Sequence, residues 1–370
     1  MPENDESGLD SKKRCGVKEV ADNLKELVQK RMQETKTTKV AIFTHACPDP
    51  DAIGSMMGMS WLLTKVFGIE CDLFYHGEIS HPQNNAICNL LDPQLKRSDE
   101  YTPVYGLHIL CGTIPINAGI GNNTITFDVV IDHHKDLPNG GYNGLVIHMK
   151  VGSCCSIIYK LIQQLAKNVW FEDDNDNDSK VATAMIAGVV TDTEYMMSDD
   201  STEFEFEAFS KLFPYRNSNF LKQIVFFKKP RFWVEVKSAA STNAEISDEG
   251  YAIVGLGLIP EKQRDLIADM VEEMVAWSSV ETAIAFAVVG GDRIEGSVRS
   301  LNASMSVSEL CKKLGSRHGS GGGKHGKGAY KYNLAGMSVD PDDAEDIKLK
   351  TWELIKVKEK ARILRILQKG

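Results

Sequence analysis

An apolar run that ends in a cluster of metal-ligand side chains is the feature that most restricts how this chain folds. Residues 40–55 read VAIFTHACPDPDAIGS, so His45, Asp49 and Asp51 follow the apolar segment closely, and a helix-like segment begins at residue 52. This order predicts a buried parallel strand that delivers ligands at its carboxyl end, as in open α/β sheets. The three side chains cannot all point one way in regular structure, so a loop must aim them, as a hard divalent cation requires.

A solvated turn, with Pro48 and Pro50 as breakers, is the simpler explanation of that stretch. A second segment favours the metal site. Residues 127–135 read FDVVIDHHK, an apolar strand that ends in Asp132, His133 and His134. Adjacent histidines after an acid are rare core residues because each needs a hydrogen-bond partner once buried, whereas a metal and a phosphate satisfy them directly.

A third apolar run, residues 181–190, leads to Asp192. Three separate apolar segments therefore each end in an acid, with histidines at two of them. Coincidence is a weak explanation for three such motifs in one chain, and together they predict one metal centre.

These motifs resemble those of the DHH family of phosphoesterases, which includes exonucleases, pyrophosphatases and dinucleotide phosphodiesterases. The stretch from His45 to Ala52 is similar to the first family motif, Asp132 to His134 to the motif that names the family, and Asp192 to the acid of the fourth. In the C-terminal half, GSVRS at 296–300 and GSGGGKH at 319–325 resemble the associated substrate-binding domain.

The resemblance implies a set of roles. One or two metal ions, expected to be Mn(II), would be bound by His45, Asp49, Asp51, His133 and Asp192. His134 is expected to contact the scissile phosphate or to orient a ligand, and Asp132 to orient the loop or a ligating histidine, with direct ligation left open. Phosphate or base binding falls to Arg299, Ser300, Gly321, Gly322, Gly323 and His325.

One position departs from the family pattern. The second motif supplies an Asp that bridges two metals, and the matching strand here, residues 107–110, is followed by Cys111. The bridge between the metals is then either lost or formed by a thiolate. A thiolate would favour zinc or iron over manganese; alternatively, the site holds one metal. An ordinary buried cysteine explains the residue equally well.

Composition limits the partners and the compartment. The chain has 370 residues, a net charge of −9 and eight cysteines without a spaced pair. The acidic balance argues against binding of long duplexes, which needs an extended basic face. Free thiols, a polar N-terminus and the lack of a long apolar run predict a cytoplasmic protein without a membrane span.

The fold class predicted is α/β, with a parallel-sheet catalytic domain at 17–214 and a smaller mixed α/β substrate-binding domain at 242–339. Residues 215–241 are interpreted as a linker and residues 340–370 as a C-terminal helix. This helix is expected either to pack on the second domain or to bind a partner, such as a second copy of the chain. The segment 315–328 is interpreted as a glycine-rich loop that cradles a phosphate, with a flexible linker as the alternative.

Two hypotheses for function follow. The first is a metal-dependent phosphodiesterase acting on short oligonucleotides, linear or cyclic dinucleotides, or 3′-phosphoadenosine 5′-phosphate, with pyrophosphate as a related substrate. The second is a protein that binds a nucleotide without hydrolysing it, because Cys111 has disabled the centre.

Overall fold

The computed structural model describes residues 16–118, 125–135, 140–315, 319–324, 326–340 and 342–368. It divides into two compact units, one ending at Lys228 and the other beginning at Lys229, and this junction lies within the segment predicted as a linker. The predicted α/β class, with a parallel sheet followed by a mixed one, is confirmed. No described helix is both long and apolar enough to cross a bilayer.

The first unit is built on a six-stranded sheet of order β3-β2-β1-β4-β5-β6, with every neighbouring pair parallel. Its strands are β1 (Lys39–Ala46), β2 (Glu70–His76), β3 (Leu95–Arg97), β4 (Leu107–Cys111), β5 (Phe127–Asp132) and β6 (Tyr142–His148). The central strands are apolar because helices cover parallel sheets on both faces. The chain reverses its direction of winding between β1 and β4, which are neighbours in the sheet, so their carboxyl ends form the ligand-binding position of such folds.

The helices of this unit are α1 (Val17–Thr35), α2 (Pro50–Phe67), α3 (Pro82–Leu91), α4 (Cys154–Leu165), α5 (Asp176–Asp192), α6 (Glu203–Leu212) and α7 (Ser218–Val225). Small residues in α2 serve helix packing. A Cβ at Gly54 would lie 2.6 Å from the Ala184 carbonyl oxygen, and one at Gly58 2.7 Å from the Met185 sulfur. Both glycines therefore let α2 and α5 pack closely.

The second unit holds a six-stranded mixed sheet of order β11-β12-β10-β9-β8-β7. Its strands are β7 (Glu245–Ile246), β8 (Tyr251–Ile259), β9 (Thr282–Val289), β10 (Arg293–Ser300), β11 (Gly319–Lys324) and β12 (Lys327–Asn333). Its helices are α8 (Arg231–Asn243), α9 (Leu266–Met274), α10 (Val307–Gly315) and α11 (Glu345–Leu367). Strands β8 and β9 pair in parallel and the other neighbours are antiparallel.

The glycine-rich segment is an edge strand, which corrects the predicted loop. Gly321 to Gly323 lie in β11 and pair with β12. A Cβ at Gly321 would lie 2.0 Å from the Cys311 carbonyl oxygen of α10, and one at Gly323 2.1 Å from the Lys327 carbonyl oxygen. Gly321 is needed because α10 approaches the strand closely, and Gly323 because β12 does. Gly322 differs, since a Cβ there would meet nothing within 4 Å.

Candidate metal centre

The predicted metal ligands gather at the carboxyl ends of β1, β4 and β5. A cavity of about 330 Å³ opens there, and it is lined by His45, Asp49, Gly112, Thr113, Ile114, Asn117, Asp132 and His134. Strand β4 lies between β1 and β5, so residues that follow all three strands meet at this edge. The cavity therefore occupies the position at which open α/β sheets bind ligands.

Three side chains form a cluster able to hold a metal ion. Asp51, His133 and Asp192 each offer a ligand atom, and these atoms lie within 4.8 Å of one another. His133 Nε2 is 3.2 Å from Asp192 Oδ2 and 3.9 Å from Asp51 Oδ2. The ligands come from the first turn of α2, the residue after β5 and the last residue of α5, so three rigid elements fix their positions.

The ring of His133 has the tautomer that a metal ligand requires. Its Nδ1 lies 3.1 Å from the carbonyl oxygen of Val151, which can only accept, so Nδ1 carries the hydrogen. Burial lowers the pKa of His133, although Asp51 opposes that shift, and a neutral ring leaves a lone pair on Nε2. A lone pair that faces two carboxylates is repelled by them, and a cation between the groups would satisfy all three.

His45 and Asp49 form a second, smaller pair. His45 Nε2 lies 3.6 Å from Asp49 Oδ2, while His45 Nδ1 is 2.9 Å from the Ala46 carbonyl oxygen, so this ring also directs Nε2 at a carboxylate. Burial alone would lower the pKa of His45, but the charge and hydrogen bond of Asp49 raise it to about 9. Without a metal, His45 is protonated at neutral pH, and its charge attracts the Asp49 carboxylate.

Asp51 is positioned by the start of α4. Its Oδ2 accepts a hydrogen bond of 2.8 Å from the backbone N–H of Cys154, and its Oδ1 one of 2.9 Å from that of Cys155. Helix N-termini favour anions, so this contact offsets part of the cost of burial. Burial nevertheless raises the pKa of Asp51, with Asp49 adding to the shift. A bound cation would remove this penalty.

Asp132 and His134 form a hydrogen-bonded pair on the cavity wall. His134 Nδ1 lies 2.8 Å from Asp132 Oδ1, which fixes Nδ1 as the donor and leaves Nε2 as an acceptor when the ring is neutral. Asp132 is 1% exposed, and its Oδ2 has no hydrogen-bond partner among the described residues. An orphaned buried carboxylate oxygen beside two histidines fits a site that takes a cation.

Cys111 ends β4 and is fully buried in the core of the first unit. Burial raises the pKa of its thiol, and Asp51 raises it further, so the group is held as a neutral thiol. The described groups able to hold a metal do not include Cys111. The strand position predicted for the bridging acid therefore carries no charge.

The predicted substrate residues of the second unit lie on and around β10 and β11. Arg299 Nε is 3.4 Å from Glu272 Oε2, and the Lys327 ammonium is 3.6 Å from Glu272 Oε1. Ser300 is buried. Its hydroxyl forms a hydrogen bond of 2.8 Å with the Thr282 hydroxyl and accepts another from the Asn302 N–H, so both contacts are made within the second unit itself. His325 lies outside the described residues.

A separate cavity of about 430 Å³ lies in the second unit, and Gly321 and Gly322 line it. Ile267 and Ala268 of α9 form an apolar wall. The charged side chains of the lining are of both signs, and Arg264 pairs with Glu295 at 2.9 Å; they are Arg264, Asp265, Glu295 and Lys331. Gly322 is the glycine of this strand at which a Cβ would meet no atom within 4 Å, so its missing side chain leaves the cavity open. Gly323, in contrast, does not line the cavity.

Several residues of the metal centre were not anticipated. Cys154 and Cys155 act through backbone N–H groups, which carry no residue-specific signal. Asn84 is buried and donates to the Pro48 carbonyl at 2.8 Å, so it fixes the loop between His45 and Asp49. His81 accepts from the Gln83 N–H and caps α3.

Comparison with known proteins agrees with this geometry. The family model described as "DHH family, N-terminal domain" matches residues 39–189. An uncharacterized protein of Methanocaldococcus jannaschii is 25% identical over 355 residues, which are 95% of this chain and 67% of that protein. A protein of Streptococcus agalactiae named probable manganese-dependent inorganic pyrophosphatase is 24% identical over 165 residues, which are 44% of this chain and 50% of that protein.

Among solved structures, an exopolyphosphatase-related protein from Bacteroides fragilis has a TM-score of 0.65 at 14% identity, covering 93% of this chain and 97% of its own. That likeness concerns the fold of both units. The family match covers all the predicted metal ligands except Asp192, which lies three residues beyond its end. Residues 39–189 are therefore similar to the N-terminal domain of the DHH family, and this match covers less than half of the chain.

Proposed function

We propose that this protein is a Mn(II)-dependent phosphodiesterase that hydrolyses short oligonucleotides, dinucleotides or 3′-phosphoadenosine 5′-phosphate. The observation that carries the proposal is the convergence of Asp51, His133 and Asp192 beside a cavity walled by His134 and Asp132. Manganese is the choice because related pyrophosphatases are named as manganese-dependent, and because imidazole and carboxylate ligands suit that ion.

The residues of the metal centre would have different roles in the reaction. Asp51, His133 and Asp192 would hold one ion, with His45 and Asp49 contributing to a second, weaker position. A bound divalent ion supplies a Lewis acid that lowers the pKa of water and neutralises charge on the phosphoryl oxygens. His134, whose Nδ1 hydrogen is directed to Asp132, presents Nε2 to the cavity and would contact a phosphoryl oxygen when protonated.

Nucleotides are favoured over pyrophosphate by the second unit. The match to the pyrophosphatase spans 44% of this chain, so that name bears on less than half of it. The cavity of about 430 Å³ joins an apolar wall to charged side chains of both signs, with Arg264 paired to Glu295 at 2.9 Å, and such a lining suits a nucleoside with its base against the wall. A pyrophosphate ion, in contrast, has no apolar part that would use such a wall.

Turnover of defined substrates tests the proposal. Protein stripped with a chelator and reloaded with Mn(II) is expected to release mononucleotide from a dinucleotide and from a five-nucleotide RNA faster than it releases phosphate from pyrophosphate. Asp192→Ala should abolish the reaction. If the unmodified protein turned over none of these substrates and Cys111→Asp did, the result would support the alternative of a nucleotide-binding protein with a disabled centre.

A second variant tests the role of the second unit in substrate binding. Gly322→Leu would fill the cavity of the second unit, and it should raise KM for the dinucleotide while leaving hydrolysis of bis(p-nitrophenyl) phosphate unchanged. Gly257→Leu is not suitable as a control because Gly257 has a φ of +92°. Ala239→Leu, at an exposed position of α8 in the same unit, provides the control increase in size. An unchanged KM in Gly322→Leu would contradict the role of this cavity in nucleotide binding.

A further inference from the structure

The C-terminal helix α11 has two apolar faces. One face packs on the core of the second unit through Trp352, Ile355 and Ile363. The other is exposed to solvent: the exposed fractions are 48% for Ile347, 50% for Leu354, 62% for Val357 and 39% for Leu364. A surface helix of a monomeric protein normally carries one apolar stripe, and the other side is polar. The second stripe of α11 therefore needs an explanation.

The exposed stripe has the spacing of a coiled-coil seam. Its positions follow one another at alternating intervals of three and four residues, and all of them are exposed: Ile347, Lys350, Leu354, Val357, Ala361 and Leu364. This is the spacing of the a and d positions in a heptad repeat, at which side chains of one helix insert between those of another. The core-facing residues Trp352 and Glu359 fall at the position of the repeat opposite to the seam. The helix can therefore pack on its own unit and on a second helix at the same time.

We propose that α11 pairs with α11 of a second copy of this chain in antiparallel orientation. The seam is self-complementary when it is reversed. Leu354 then lies opposite Val357 of the second copy, Ile347 opposite Leu364, and Lys350 opposite Ala361. Every large apolar residue meets a large apolar residue, and the one charged residue meets the smallest, over which its methylene stem can extend. A two-fold axis relates the helices, as an isologous dimer requires.

The charges beside the seam select this orientation. In a parallel pair, Lys350 would face Lys350 of the second copy, and Lys360 would lie beside Arg365. In the antiparallel pair, Glu353 lies beside Lys360 of the second copy, and this pair occurs twice because of the symmetry. Lys360 also contacts Glu245 of its own chain at 2.6 Å, and an ammonium has three donors, so it can serve both carboxylates. Like charges are thus avoided in one orientation only.

The length of the seam sets the strength expected. The stretch from Ile347 to Leu364 spans about 26 Å of helix at 1.5 Å per residue, or roughly two and a half heptads. A seam of this length is short for a coiled coil, so the dimer should dissociate on dilution. Self-association is independent of the catalytic proposal, because none of these residues belongs to the metal centre.

Sedimentation velocity of the full-length chain over a wide concentration range tests the proposal. The natural protein is expected to pass from monomer to dimer as its concentration rises. Leu354→Glu combined with Val357→Glu places four carboxylates at the centre of the seam and should leave a monomer throughout. Leu349→Glu is the matched control, because Leu349 is 61% exposed on the same helix but lies off the seam. It should dimerise as the natural chain does.

Disulfide trapping tests the orientation. Lys350→Cys and Ala361→Cys are prepared as separate variants and oxidised alone and as a mixture, beside the natural chain. The antiparallel pair predicts that the covalent dimer rises strongly only in the mixture. A monomer at every concentration, a dimer that persists in the double Glu variant, or efficient self-linkage of Ala361→Cys would each overturn the proposal.

Discussion

The two halves of the metal centre differ in how they are held. Asp51, His133 and Asp192 come from three elements, and the side chains of Asp51 and His133 are 5% and 6% exposed. His45 and Asp49 share one loop, and their side chains are 23% and 50% exposed. The first group is fixed by packing and by the start of α4, whereas the second depends on a short loop. The better-fixed and more numerous ligands should bind a cation more tightly, because less freedom is lost on binding.

The residue that ends β4 is relevant to this difference. A carboxylate at the end of β4 could contribute to both halves, but the residue there is Cys111, a buried neutral thiol. The centre is consequently expected to hold one Mn(II) ion firmly and to bind a second weakly. This expectation can be tested on each half separately.

The largest effect is expected when a ligand of the tighter half is removed. Asp192→Asn should abolish stoichiometric binding of Mn(II) and reduce turnover by about a thousandfold, since metal assistance supplies several kcal/mol to the transition state. Asp49→Asn should retain one bound ion. Isothermal titration with Mn(II), beside activity assays, measures both. Equal loss of binding in the two variants would remove the distinction between the halves.

A new acid at position 111 should make the halves more alike. Cys111→Asp is expected to raise the Mn(II) stoichiometry from one to two, because a carboxylate between the groups completes the weaker half. In the metal-free protein it should lower the free energy of unfolding by about 3 kcal/mol, the cost of an uncompensated buried charge. Thermal unfolding with and without Mn(II) measures this. Cys111→Ser is the control without charge, and a second ion in that variant would contradict the explanation.

The difference between the halves also shows what a sequence can predict. The strands, the class of the fold and the identity of the ligand side chains could be inferred, because apolar runs ending in Asp and His are visible along the chain. The division into a group of three and a pair could not, since it depends on how α5 brings Asp192 to His133. Gly321 and Gly323 were misinterpreted for a related reason: glycine composition does not distinguish a loop from an edge strand that a helix and a neighbouring strand approach closely.

A smaller effect concerns pH and the weaker half. In the metal-free protein the pKa of His45 is about 9, above its ordinary value of 6.5. Protonated His45 therefore stabilises the fold fully below about pH 6.5, and this stabilisation is lost as pH rises through 9. The natural chain should exceed His45→Gln by about 1 to 2 kcal/mol at pH 6, after allowance for solvent screening, and by much less at pH 9.5.

Urea unfolding of both proteins at a series of pH values measures that difference. Mn(II) should reverse the trend, because an ion must displace the proton from Nε2 and so binds more tightly as pH rises. A difference between natural chain and variant that grows from pH 6 to pH 9.5 would show that Asp49 does not hold His45 in its charged form.

The smallest effect is expected from the support of the loop. Asn84→Ala removes the hydrogen bond to the Pro48 carbonyl, which costs about 1 kcal/mol and leaves the loop between His45 and Asp49 less restrained. Binding of the second, weaker Mn(II) ion should fall by up to about tenfold, since 1.4 kcal/mol corresponds to that factor. Asn85→Ala is the matched control, because Asn85 donates only to Ser80 and His81 at 3.3 Å. If Asn84→Ala weakened the tighter ion as well, the two halves would be mechanically coupled through α2, and the independence inferred from their separate supports would be wrong.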